Sequence, residues 1–154
     1  MPANRHAPLV SREPLGGAYY ILTFRHAEVA TSARAGQFVM IKAGLSAEPP
    51  LRRPFSVLSV DAEEETFSLF VKAVGGGTHA LTRLSPGELA QCLGPLGRPF
   101  TAPASGTEAV MVAGGYGIAP FHLFARELGR EGRAGRVFYG GRTAGDLKLS
   151  DRFD

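Results

Sequence analysis

Residues 51–60, LRRPFSVLSV, set two arginines and a proline directly in front of an alternating strand. Side chains alternate across a strand, so Arg52 and Arg53 point to opposite sides, and Ser56 shares a side with Pro54. Pro54 fixes the backbone where the strand begins. The reading extends to neighbouring segments. Residues 18–26 (AYYILTFRH) put Tyr20, Leu22 and Phe24 on one face, and residues 37–42 and 66–72 also carry bulky side chains at strand period. Gly36, Gly44 and Gly75 punctuate them, and the acidic run Glu63, Glu64 and Glu65 reads as a solvated hairpin turn. Short strands with one brief helix at about 78–84 predict a closed or nearly closed antiparallel barrel over residues 1–100.

After residue 100 the composition changes. Residues 101–107 are small, polar and proline-bearing, as a linker is. An apolar strand at 109–113, the turn GGYGIAP at 114–120, an amphipathic helix and a second strand at 136–141 follow. Strand, glycine turn, helix, strand is the opening of a doubly wound unit. The fold class is therefore all-β antiparallel barrel followed by a partial α/β Rossmann-like nucleotide-binding unit at 108–154.

Both glycine clusters have a definite mechanics. Gly114, Gly115 and Gly117 let the backbone turn sharply and approach an anion, and the helix beyond offers free N–H groups, with Pro120 in its first turn. Tight packing alone also explains such glycines. In VGGGTHALTRL (74–84), Thr78 can cap a helix, while the N–H groups near Gly76, Gly77 and Thr78 can cradle a phosphate; a plain cap is the alternative. Arg53, facing such a loop, can hold a pyrophosphate bidentately.

Other classes are disfavoured. The net charge of +3 over 154 residues, with arginines scattered from Arg5 to Arg152, lacks the basic stripe of a nucleic-acid binder. No run reads as membrane-spanning and no secretory leader is expected at the start, which gives a cytoplasmic location by default. Cys92 stands alone, so neither an internal disulfide nor a cysteine-held cluster is expected. His6, His26, His79 and His122 have no metal-binding spacing, and no metal ligand is assigned. Gly-x-Ser-x-Gly and Gly-Lys-Ser/Thr are both missing, which removes the common hydrolase and nucleotide-hydrolysing readings.

RPFS at 53–56, GGGT at 75–78 and GGYGIAP at 114–120 resemble, in order and spacing, the flavin, flavin-phosphate and nicotinamide motifs of the ferredoxin–NADP reductase superfamily. AGQFVMI, LRRPFSV, GGGTHALTRLSPGE, LGPLGRPF and GGRTAGDL together are similar to the electron-transfer subunit family of bacterial dihydroorotate dehydrogenase, from about residue 7 onward. That resemblance implies an FAD-binding barrel, NAD(H) as substrate, and a catalytic dihydroorotate dehydrogenase subunit as partner in pyrimidine biosynthesis. It implies that Arg53 contacts the FAD pyrophosphate, that Pro54 and Phe55 lie along the cofactor, and that Ser56 is the catalytic-site hydroxyl beside flavin N5. Phe55 stands where many members have tyrosine, so a hydroxyl contact is lost. Lys72, Ala73 and Val74 would lead to the phosphate loop, and Gly76, Gly77 and Thr78 would donate to the phosphates. Gly115, Gly117, Ile118 and Pro120 match the nicotinamide motif, with Gly140, Gly141 and Arg142 at the next strand end.

The family's [2Fe–2S] segment, with its Cys-x4-Cys-x2-Cys spacing, has no counterpart here. The chain is thus expected to be a shortened form with FAD but no cluster, and with slow turnover of NADH. Two alternatives stay open: another NAD(P)H-flavin reductase component of the superfamily, and a non-catalytic barrel that serves as a binding or assembly module.

Overall fold

The computed structural model describes residues 4–44 and 51–153. Strands β1 (Asn4–Gly16), β2 (Tyr19–Arg25), β3 (Phe38–Ala43), β4 (Arg53–Asp61), β5 (Thr66–Lys72) and β6 (Leu89–Leu96) close into an antiparallel barrel in the order β1-β2-β5-β4-β3-β6. Closure leaves no free sheet edge. Residues 1–3 and 45–50 of the expected barrel, and residue 154 of the expected second unit, lie outside the described residues. The acidic run forms the turn between β4 and β5, where Asp61 accepts from the N–H groups of Glu63 and Glu64 at 3.0 Å.

Two strands and a helix go beyond the expected set. β1 is long because it serves two neighbours, Asn4–Pro8 pairing with β6 and Leu9–Gly16 with β2. β6 holds Cys92 fully buried. Helix α1 (Ala27–Ser32) is capped by His26, whose Nδ1 accepts from Val29 N–H at 3.3 Å. It follows the end of β2, whereas helix α2 (Gly76–Arg83) follows the end of the antiparallel β5, so the two helices sit at opposite ends of the barrel.

The barrel interior is filled by Leu9, Leu22, Phe24, Val39, Ile41, Val57, Phe67 and Leu69, with Leu81 of α2 and Val29 of α1 packed in. Phe24 and Phe67 stack at 5.8 Å. Each such side chain contributes about 1.5–3 kcal/mol relative to an exposed one.

The second unit has strand β7 (Ala109–Gly114), helix α3 (Ala119–Arg130) and strand β8 (Gly135–Gly140), with β7 and β8 parallel. It is seated on the outer wall of the barrel. Strands β2, β4 and β5 are apolar on both faces: Tyr19, Ile21, Leu58 and Phe70 point outward and meet Ile118, Ala119 and Leu149. His122 of α3 lies 3.0 Å from the Leu58 carbonyl, and Glu127 accepts from the Ala35 N–H at 3.1 Å.

Residues 101–107 carry no strand or helix, but the segment before them is pinned. Phe100 stacks on Phe121 at 5.5 Å, meets Phe124 edge-on at 5.3 Å and donates its N–H to Ala35 at 2.8 Å. Gly36, at φ +90°, makes room for it, since a Cβ there would stand 2.8 Å from the Phe100 ring.

Candidate functional site

Where β4 and β5 face the turn after β7, a cleft of about 390 Å³ opens between barrel and second unit. Its barrel wall is Arg53, Pro54, Phe55, Ser56, Phe70, Lys72, Val74 and Thr78; its other wall is Tyr116, Gly117, Ala119 and Pro120. A wider cleft of about 870 Å³ continues from it, with Tyr19, Gly114, Gly115, Gly140, Gly141, Arg142, Thr143 and Asp146 on its walls. Lys72, Val74, Tyr116 and Gly117 border both. Val74 and Tyr116 stand 70% and 65% exposed at this junction, which leaves apolar surface facing an open cleft as a planar aromatic ligand requires.

Arg53 and Arg52 diverge as strand parity demands. Arg52 turns toward β6 and donates to Gln91 Oε1 at 3.1 Å. Arg53 donates to the Leu51 carbonyl and lays its guanidinium against Gly77 in the first turn of α2. A Cβ on Gly77 would fall 2.3 Å from Arg53 Cζ and Nε, so a side chain there displaces the guanidinium from this position.

Helix α2 begins at Gly76, earlier than the sequence suggests, with Gly75 as its N-cap residue. Thr78 therefore lies inside the first turn and does not precede the helix as a cap. Its Oγ1 instead reaches back, accepting from the Val74 and Gly75 N–H groups at 2.9 and 3.0 Å and donating to the Gly75 carbonyl at 2.9 Å. The geometry of a helix start leaves the N–H groups of Gly76, Gly77 and Thr78 without intrahelical acceptors, beside the Arg53 guanidinium. Three backbone N–H groups and one guanidinium thus lie together where an anion can sit.

On the opposite wall a single 3-10 turn (Gly115–Ile118) joins β7 to α3. Gly115 takes φ +52°, and Pro120 falls in the first turn of α3, where its missing N–H costs little.

Residues 6–100 match the family model of the oxidoreductase FAD-binding domain. The chain belongs to this family. It is 34% identical to the electron transfer subunit of dihydroorotate dehydrogenase B (NAD(+)) from Desulforamulus reducens, over 87% of the chain and 51% of that protein. The subunit of the same name from Geobacillus thermodenitrificans is 36% identical, over 86% and 52%. The chain spans about half the length of the curated relatives it matches. Among solved structures, an NADH-dependent reduced ferredoxin–NADP oxidoreductase superposes with a TM-score of 0.84 at 29% identity, covering 100% of this chain and 55% of that one. A cytochrome P450 reductase from Amycolatopsis gives 0.79 at 27% identity, covering 99% and 48%.

The features of an FAD-binding domain fit the residues present: a cradle that a Cβ would fill, a fixed cation, free helix N–H groups and a cleft walled by Phe55, Phe70 and Val74. The structure brings Arg53, Pro54, Phe55, Ser56, Lys72, Val74, Thr78, Gly117 and Pro120 together in the first cleft, with Gly76 and Gly77 at its end and Gly115 in the wider cleft. Two of the expected residues point elsewhere. Ile118 is fully buried in the seam between the units, and Ala73 borders a separate basic cleft with Arg12, His79 and Arg83. Sequence reasoning passed over Phe70 and Tyr116 on the first cleft and Tyr19, Thr143 and Asp146 on the second. Tyr116 lay within the motif GGYGIAP, and Thr143 and Asp146 within GGRTAGDL, without being singled out there.

Proposed function

We propose that the chain is an FAD-dependent electron-transfer component that passes electrons between NAD(H) and a catalytic dihydroorotate dehydrogenase subunit. The seat of Arg53 on Gly77, beside the N–H groups of α2, supports this reading most strongly. The division of labour proposed is a barrel at 1–100 for FAD, a linker at 101–107 and the first part of an NAD-binding unit at 108–154. When bound, FAD supplies a site that takes up a hydride from NADH and gives up electrons one at a time.

The chain's own residues bind and orient. Arg53, Gly76, Gly77 and Thr78 hold the FAD pyrophosphate; Pro54, Phe55, Phe70 and Val74 exclude water from the ring; Ser56 offers a hydroxyl hydrogen bond at its edge; and Lys72 adds positive charge along the strand between them. Gly115, Gly117 and Pro120, with Gly140, Gly141 and Arg142, shape the cleft for the dinucleotide. No side chain is needed as acid or base. A second reading, a flavin reductase serving another acceptor, is favoured by the structural likeness to the ferredoxin–NADP oxidoreductase and the P450 reductase.

The test compares two neighbouring arginines. Arg53→Ala is expected to weaken FAD binding by about 10- to 150-fold, the equivalent of about 1.5–3 kcal/mol for hydrogen bonds to a charged group, with Arg52→Ala much closer to wild type. Equal affinities in fluorescence titrations overturn the assignment. Co-purification with the dihydroorotate dehydrogenase subunit, or its failure, separates the two acceptors.

A further inference from the structure

The turn after β8 is tied to the barrel by one carboxylate, and its two oxygens have separate partners. Asp146 Oδ2 serves its own turn, accepting from Thr143 N–H and Thr143 Oγ1, each at 3.2 Å. Asp146 Oδ1 serves the barrel, accepting from the Tyr19 hydroxyl at 2.5 Å and pairing with Lys72 Nζ at 3.5 Å. One oxygen is enough to cap a turn. The second reaches across 127 positions of sequence to a different unit.

Both barrel partners are themselves fixed. The Tyr19 ring stacks on Phe70 at 5.6 Å, and Lys72 lies over that ring at 4.6 Å. On the other side, the Asp146 carbonyl accepts from the Tyr139 hydroxyl of β8 at 3.0 Å, and Gly141 packs so closely that a Cβ there would stand 2.9 Å from Asp146 Cβ. The Tyr19 hydroxyl, then the Thr143 N–H and hydroxyl, and last the Lys72 ammonium hold the Asp146 carboxyl down at about 2, so it stays charged across the working range. A continuous chain of contacts thus runs from Phe70, on the wall of the first cleft, through Tyr19 and Asp146 to Thr143, on the wall of the second.

We infer that Asp146 is a positioning residue, a brace between barrel and second unit that sets the spacing of the two clefts and so the alignment of a bound dinucleotide with a bound flavin. This rests on the function proposed above for the two clefts. Loosening the brace leaves every wall residue of the first cleft in place, removes only the Asp146 side chain from the second, and broadens their relative placement. The flavin should then bind as before and react more slowly, because small misplacements of reacting atoms carry large rate penalties.

Three variants and two readouts decide it. Asp146→Ala removes both carboxylate oxygens and their contacts while its carbonyl keeps Tyr139, Asp146→Asn keeps one acceptor oxygen, and Tyr19→Phe removes a single hydroxyl and serves where the alanine variant fails to fold. In Asp146→Ala the rate of flavin reduction at saturating NADH is expected to fall about tenfold with the FAD dissociation constant within about twofold of wild type, and Asp146→Asn to recover part of the rate. The second readout needs no reaction: spin labels on Glu64→Cys and Val112→Cys, both exposed and on different units, report a distance distribution that should widen in Asp146→Ala and Tyr19→Phe. An unchanged distribution, or an unchanged limiting rate beside a widened distribution, overturns the inference. A wild-type protein that binds no FAD or ignores NADH counts against the proposed function, and the distance distribution then decides the brace by itself.

Discussion

Replacing Gly77 by alanine tests the cofactor cradle with one methyl group. The added Cβ would lie 2.3 Å from Arg53 Cζ and Nε and 2.7 Å from Nη1. Carbon contacts prefer about 3.5–4.0 Å, so the guanidinium has to leave its seat by more than about 1 Å. Gly77 is already helical, with no left-handed φ to forbid a side chain, and alanine gains up to about 0.8–1.0 kcal/mol of helix propensity over glycine. Stability and affinity should therefore move in opposite directions. A gain of this size shifts the melting temperature of a chain this long by about 2–4 °C at most. Moving the arginine off an anion costs about 1.5–3 kcal/mol of charge-assisted hydrogen bonding, or about 10- to 150-fold in the FAD dissociation constant. Flavin fluorescence titrations, with thermal melts of the apoprotein alongside, read both quantities. Gly129→Ala is the control, a helical glycine in α3 with open space around its Cβ position and no part in the clefts. Wild-type FAD affinity in Gly77→Ala would refute the cradle, and so would an equal loss in Gly129→Ala.

Protonation and thiol chemistry supply further checks. Burial lowers the pKa of His26 and of His122 below the ordinary 6.5, so the unfolded chain binds protons that the folded one refuses. Stability should be flat above about pH 7 and fall as the pH drops below 6.5 toward the lower folded values. Melting temperatures between pH 7.5 and 5.5 check this: a smaller drop is expected in His26→Asn, which keeps a capping acceptor, and a flat wild-type profile would refute it. Asp146 acts in a separate window, losing its contribution only as the pH falls below its ordinary 3.8 toward about 2. Burial also pushes the Cys92 thiol up to about 12, and the native protein should resist alkylation at pH 8 until denaturant is added. Rapid labelling without denaturant would show that β6 opens readily.

What could be read from the sequence follows from what is periodic or local. β2, β3 and β5 carry bulky side chains at strand period, and the glycine turn announces the strand and helix on either side of it. Pro8 and Pro14 break the pattern of β1, although its pairing is split between two neighbours and tolerates them. Helix α1 has six residues and owes its start to an unusual histidine cap, too short a segment for a 3.6-residue period to emerge. The approach of Arg53 to the glycine-rich start of α2 is expected from residue chemistry, because each half carries its own local signature. Ile118 shows the limit of motif matching, since a residue beside the glycines of a turn can equally be the one that plugs the seam beneath it. Asp146 and Tyr19 lie 127 positions apart with no pattern relating them, and only the fold brings them together.

The outward row Tyr19, Ile21, Leu58 and Phe70 bears on how the protein folds. A barrel released from its neighbour would present that row to water as a sticky stripe, and the two short strands of the second unit could not hold their shape without it. The two units are therefore bound to melt as one cooperative body, with the first cleft on their shared boundary. A ligand bridging that boundary raises the stability of both at once, so heat resistance becomes a gauge of cofactor loading.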